Sequence, residues 1–163
     1  MNIYMIYQNL AEFITSLPSN GRLIGLDIGT KKIGIALTDA LKIISSPLEI
    51  VSRINLKKDV NKIISIITKH EVVGVVAGYP LRLDGREGDM CPMVNQFISK
   101  LSKESSLPIF MQDERMSTQS AERIMNEYSL SWLKKSQIED KIAASFILQA
   151  TIDQIANFTS NIQ

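Results

Sequence analysis

Between residues 22 and 53 the sequence has room for three strands and for no helix, and this constrains everything the rest of the chain can build. Residues 22–28 and 33–38 are apolar runs joined by the tight Gly29-Thr30-Lys31-Lys32 connection, the pattern of an antiparallel hairpin. Residues 48–53 supply a third strand. The pattern then changes. Val60, Ile63, Ile64 and Ile67 recur at helical spacing, and the unbroken apolar run at 72–77 is that of a strand covered on both faces. A loop rich in glycine, proline and charge follows from Gly78 to Asp89. Val94, Phe97, Ile98 and Leu101 mark a second helix, residues 108–112 a further buried strand, and Ala121, Ile124, Met125 and Tyr128 a third helix.

Ser136-Gln137-Ile138-Glu139 has the form of a capping box, which predicts the start of a last helix that is apolar on most faces from Ile142 to Ile155. A meander followed by βα units predicts an α/β fold. It has a five-stranded mixed sheet, the first three strands antiparallel, flanked by helices on both faces. Ahead of it, Ile3, Ile6, Leu10, Phe13, Ile14 and Leu17 predict an amphipathic helical extension over residues 1–20, ended by Pro18-Ser19-Asn20-Gly21. Residues 21–163 then form a single domain.

Composition narrows the function. At 163 residues and a net charge of +1 the chain is one ordinary domain without general basic character, so nucleic-acid contact must come from locally clustered cations. Cys91 is the only cysteine and His70 the only histidine, which excludes an internal disulfide and a cysteine- or histidine-rich metal site. His70 reads as the end of its helix. No apolar run reaches a membrane span, and the first basic residue is Arg22, so the expectation is a cytoplasmic protein with no membrane partner.

Chemistry concentrates in acids. Asp27 interrupts an apolar strand, where a charge is costly unless paired or metal-bound. The bland reading is an aspartate capping its own turn. Thr30 and Lys31 beside it offer a hydroxyl and a cation to a phosphate. Asp113 and Glu114 follow a strand, at the end where α/β sheets bind ligands. Alternation sends only one of them into a site, and pairing with Arg115 is the competing use. Asp140 has Ala143 and Ala144 on its own helix face, which would let that helix approach the sheet closely. The bland reading is complementation of the helix dipole. Three carboxylates together suit a hard cation, Mg²⁺ or Mn²⁺.

Four stretches in order carry a resemblance: residues 25–34 (Gly-Leu-Asp-Ile-Gly-Thr-Lys-Lys-Ile-Gly), residues 78–85 (Gly-Tyr-Pro-Leu-Arg-Leu-Asp-Gly), residues 113–118 (Asp-Glu-Arg-Met-Ser-Thr), and Asp140-Lys141-Ile142-Ala143-Ala144 with Ile147-Leu148. Across residues 22–153 the chain resembles the YqgF/RuvX family of bacterial proteins with an RNase H-like fold. The resemblance implies a metal-dependent nuclease in which Asp27, Glu114 and Asp140 are the catalytic, metal-binding acids. Asp113 is the replacement should Glu114 point away. It implies Mg²⁺ or Mn²⁺ as cofactor and structured RNA, the pre-16S rRNA, as the partner processed at its 5′ end. A Holliday junction resolvase acting on branched DNA is the alternative, and an inert nucleic-acid-binding module on the same fold a further one, with the chain a monomer or a homodimer.

Thr30, Lys31, Lys32, Arg82, Arg86 and Arg115 flank the acids and are the expected nucleic-acid contacts. Solvated surface charge is the competing reading for each. Tyr79 could stack on a base or pack against Pro80. A nucleotide-hydrolysing domain also opens with an Asp-x-Gly-Thr turn, but it closes two domains around its ligand, and one domain of this length supplies only one phosphate loop.

Overall fold

The structure, a computed structural model, describes residues 5–115 and 132–162, and in the last helix the side chains from Ile142 onward. The elements run β1 (Ile6–Tyr7), α1 (Leu10–Ser16), β2 (Arg22–Ile28), β3 (Lys32–Thr38), β4 (Ser45–Ser52), α2 (Leu56–Lys69), β5 (Val72–Tyr79), α3 (Cys91–Ser105), β6 (Ile109–Asp113) and α4 (Trp132–Ile162). The strands form one sheet in the order β1-β6-β5-β2-β3-β4. β2, β3 and β4 are the antiparallel meander, while β5 pairs parallel to β2 and to β6. Among the described residues no helix is long and apolar enough to cross a membrane.

Alternation along each strand divides the core in two. Ile24, Leu26 and Ile28 of β2, with Val75 and Ala77 of β5, pack against Val60, Ile63, Phe97 and Ile98 of α2 and α3. Leu23, Ala36, Val76 and Phe110 face the opposite way, against Phe13 of α1 and Ala144, Ile147, Leu148 and Ile152 of α4. The mixed sheet and its two helical layers are as expected from the sequence, and His70 caps α2.

Three expectations need correction. The sheet has six strands rather than five, because Ile6 and Tyr7 pair parallel to Ile109 and Phe110. The N-terminal helix is correspondingly shorter: it starts after Asn9, whose side chain accepts from the Glu12 backbone N–H at 3.1 Å. Helical periodicity also ran through Ile6, but the open edge of β6 offers that segment backbone partners that a helix end would leave unsatisfied. Third, α4 begins at Trp132, upstream of Ser136, so the capping-box residues lie inside the helix. No glycine or proline separates Trp132 from Ser136, and serine costs little in a helix interior. Asp140 is therefore past the first turn, where the dipole has faded. The expected helix at Ala121, Ile124, Met125 and Tyr128 lies outside the described residues.

What brings α4 down onto the sheet is glycine. A Cβ on Gly25 would stand 2.8 Å from Leu148 Cβ and 3.0 Å from the Ala144 carbonyl oxygen. Both are fixed atoms, not the ends of flexible side chains. Gly25→Ala should therefore destabilise the protein by about 1–3 kcal/mol through overpacking. That outweighs the ~0.4–1 kcal/mol gained by restricting the unfolded chain. Urea unfolding of both proteins checks it.

Candidate active site

The site is built at the C-terminal ends of β2, β5 and β6, which run parallel to one another. Asp27, half-buried, shares the α4 face of β2 with Leu23 and Gly25. Its antiparallel partner is Gly34, and the register that pairs Leu26 with Ala77 puts Gly78 on its other side. The aspartate thus lies between two residues without side chains. From β6, Glu114 continues the face of Phe110 and Gln112 and folds back over β5. A Cβ on Gly78 would stand 2.5 Å from Glu114 Oε1 and 2.7 Å from Ile147 Cδ1. The space a side chain would fill is the space the carboxylate uses.

This closeness has an electrostatic signature. The Glu114 carboxyl is pushed up to about 7, first by burial, then by the negative charge of Asp27 and lastly by that of Asp113. The charge of Asp27 hinders the ionisation of Glu114.

Asp113 goes elsewhere. Alternation turns it to the other face, where the Arg115 guanidinium donates to it through Nε at 3.0 Å and Nη2 at 2.6 Å. The Arg115 backbone N–H adds a further bond at 3.0 Å. This clamp holds the Asp113 carboxyl below the ordinary carboxylate range. Of the two neighbouring acids it is Glu114 that meets Asp27. Asp140 lies on α4, in the part of the helix whose side chains are outside the description. Among the described residues no three acidic, histidine or cysteine side chains cluster as a metal site. The pair present is an all-oxygen donor set whose mutual repulsion a cation would relieve, which suits Mg²⁺ or Mn²⁺.

The expected nucleic-acid contacts divide. Thr30, Lys31 and Lys32 are exposed on the turn after Asp27, and among the described residues both lysines are without an ion pair. Arg82 is bound to Asp89 at 3.1 Å, Arg86 to Asp84 at 2.6 Å, and Arg115 to Asp113. Tyr79 is buried, with its hydroxyl donating to Glu87 at 2.7 Å and accepting from Asn95 at 2.9 Å, so it is core rather than a base platform.

Sequence reading missed the residues that shape this site. Gly34 and Gly78 interrupt apolar strands, which is the available signal of close approach. Arg53 and Asp59 gave no signal. The buried Asp59 takes Arg53 Nε at 3.0 Å and the Ile54 N–H at 2.9 Å. Arg53 Nη1 in turn donates to the Gly29 carbonyl at 3.1 Å, and its backbone N–H to the Lys31 carbonyl at 2.9 Å. The pair fixes the turn that follows Asp27.

Known proteins can be set against this geometry. The model of the RuvX family, described as a Holliday junction resolvase, matches residues 21–154. A Cereibacter sphaeroides protein named "Putative pre-16S rRNA nuclease" is 39% identical over 151 residues, 93% of this chain and 94% of that protein. A Ruegeria sp. protein of the same name is 36% identical over 157 residues, 96% of this chain and 100% of that protein. Among solved structures, T. thermophilus RuvC in complex with a Holliday junction substrate matches with a TM-score of 0.51 at 13% identity, over 83% of this chain and 96% of that chain. At that identity the likeness is one of fold, the RNase H-like fold.

The raised carboxyl has a signed consequence. As pH rises from the ordinary 4.5 towards 7, the unfolded chain releases the Glu114 proton while the folded protein keeps it, so stability falls across that window. Glu114→Gln removes this loss. Without metal, the variant should be more stable than the native protein by about 1–3 kcal/mol at pH 8 and equal to it near pH 4. Added Mg²⁺ should cancel the advantage. Urea unfolding at the two pH values, with EDTA and with Mg²⁺, checks both statements.

Proposed function

The chain belongs to the RuvX family, and on that ground we propose that it is a nuclease hydrolysing phosphodiester bonds in structured RNA, in the 5′-end processing of pre-16S rRNA. The observation that carries the reading is the Glu114 carboxyl beside Asp27, raised to about 7 at the ends of parallel strands. Two carboxylates brought together disfavour ionisation of Glu114, and a bound cation would reverse that cost. The names of relatives at 39% and 36% identity support the RNA substrate. The family's description favours a second reading, a resolvase of branched DNA.

In this proposal Asp27, Glu114 and Asp140 would hold Mg²⁺ or Mn²⁺, whose chemistry when bound is polarisation of the phosphate and activation of water. The chain's own residues supply position and charge. The Arg53–Asp59 pair holds the turn that carries Thr30, Lys31 and Lys32. The two lysines and the threonine hydroxyl then meet the substrate's phosphates beside the acids. Arg115 keeps Asp113 out of the cluster, which leaves Glu114 as the strand-end acid directed at Asp27. Arg82 and Arg86 have their charge partly neutralised by Asp89 and Asp84, so they contribute less than the lysines. A cytoplasmic location accords with the substrate.

Two outcomes follow. Asp27→Asn keeps the size of the side chain but loses its charge. Cleavage should fall by at least ~100-fold, beyond the ~10–100-fold cost of losing a metal's outer-shell partner, while binding is retained. Lys31→Ala should weaken binding and lower the slope of log affinity against log salt by roughly one. Gel assays with a 5′-extended small-subunit rRNA precursor and a four-way DNA junction, in Mg²⁺, Mn²⁺ or EDTA, test both. Absence of cleavage by the native protein under every metal condition would sink the nuclease reading, and cleavage of the junction alone would transfer it to DNA.

A further inference from the structure

Leu83 is 93% exposed, more than any other large apolar side chain among the described residues. A lone exposed leucine is ordinary. The way this one is held is not. It sits at the tip of a tight hairpin in which Leu81 pairs with Glu87. The Arg82 N–H donates to the Arg86 carbonyl and the Gly85 N–H to the Arg82 carbonyl, both at 2.8 Å. Gly85 takes the left-handed conformation, φ 88°, that closes the turn. The stem is tied down by Tyr79 through Glu87, and the tip by Arg115 Nη1, which donates to the Leu83 carbonyl at 3.3 Å. That same guanidinium clamps Asp113, the residue before Glu114. A fixed apolar point therefore stands one guanidinium away from the strand end that carries the acid.

The charges around it say what it can meet. Residues 81–89 hold three carboxylates against two arginines, and both arginines are already paired within the loop. The hairpin is thus a poor phosphate clamp. One side chain is also far too small an area for a protein interface. Beside acids that would act on nucleic acid, the remaining apolar surface of the right shape is the face of a base. Apolar wedges of this kind insert between bases, at least cost where the base is already unpaired.

We propose that Leu83 is a base-contacting wedge, packing against an unpaired nucleobase at the strand-end edge of the sheet that also carries the acids, so that the site takes nucleic acid where paired strands separate. This rests on the nuclease reading. The test uses the full chain and Leu83→Ala with tailed RNA and DNA hairpins of one sequence, each with 2-aminopurine at the first unpaired position, in EDTA. The native protein should raise the probe's fluorescence on binding, and Leu83→Ala should lose most of that rise. The variant should bind the tailed hairpins about tenfold more weakly, the scale of one lost buried leucine contact, and bind a fully paired duplex as before. The salt dependence of binding and the melting temperature should not change, because the side chain carries no charge and is exposed.

Equal fluorescence and equal preference for the tailed probe in the two proteins would overturn the wedge, whatever the cleavage result. Absence of cleavage in Mg²⁺ with the fluorescence difference intact would overturn the nuclease reading and leave the wedge standing. Failure of the native protein to bind any of these probes would overturn both. A response to the RNA hairpin alone, or to the DNA hairpin alone, supports the wedge and identifies the nucleic acid it reads.

Discussion

On the α4 side of the sheet, Gly25, Gly34 and Gly78 leave three neighbouring strands without side chains just where the last helix descends, and the site depends on that gap. At Gly25 the helix backbone takes the space, with the Ala144 carbonyl 3.0 Å from where a Cβ would stand. At Gly78 a carboxylate takes it. At Gly34, the antiparallel partner of Asp27, a Cβ would stand 3.6 Å from both Asp27 Cβ and Ala144 Cβ, in ordinary contact. A methyl group at Gly25 would press on the helix that carries Asp140, and one at Gly78 would push Glu114 off β5. Close packing transmits such displacements instead of absorbing them.

Given that gap, two neighbouring acids acquire different fates from the pleat alone. Asp113 faces a guanidinium that favours its charge, and Glu114 faces an aspartate that opposes it. The favourable ion pair lies on the side away from Asp27, where it braces the strand end and, through the Leu83 carbonyl, the hairpin above it. The unfavourable pair lies where a cation would turn repulsion into binding. A second ion pair, Arg53 with the buried Asp59, fixes the turn after Asp27 from the opposite face. Structural ion pairs thus flank two carboxylates whose closeness raises the proton affinity of Glu114, which is the expected pattern when local stability is given up for function.

Much of this was legible in the sequence. The three-strand opening, the alternation of helix and strand, and the acids at strand ends were readable because hydrophobic period and strand alternation are local properties. The acids stood out because a charge inside or at the end of an apolar run is expensive anywhere. The sixth strand was not legible. Ile6 and Tyr7 fit helical spacing equally well, and only the open edge of β6, about a hundred residues away, decides between the two. The start of α4 was misread for the same reason. A capping-box pattern is a statement about four residues, whereas the helix extends as far as its surroundings let it.

By itself, then, the sequence determined the α/β class, the meander, the family and the set of acids to consider. Only the tertiary structure decided that Glu114 rather than Asp113 meets Asp27, that glycines make room for the meeting, and that, among the described residues, Arg82, Arg86 and Arg115 are already engaged by carboxylates while Lys31 and Lys32 are not. The physical reason is that period and composition report how each residue relates to its own element. Charge pairing and close approach depend on distances between elements, and those are set only when β2, β5, β6 and α4 pack together.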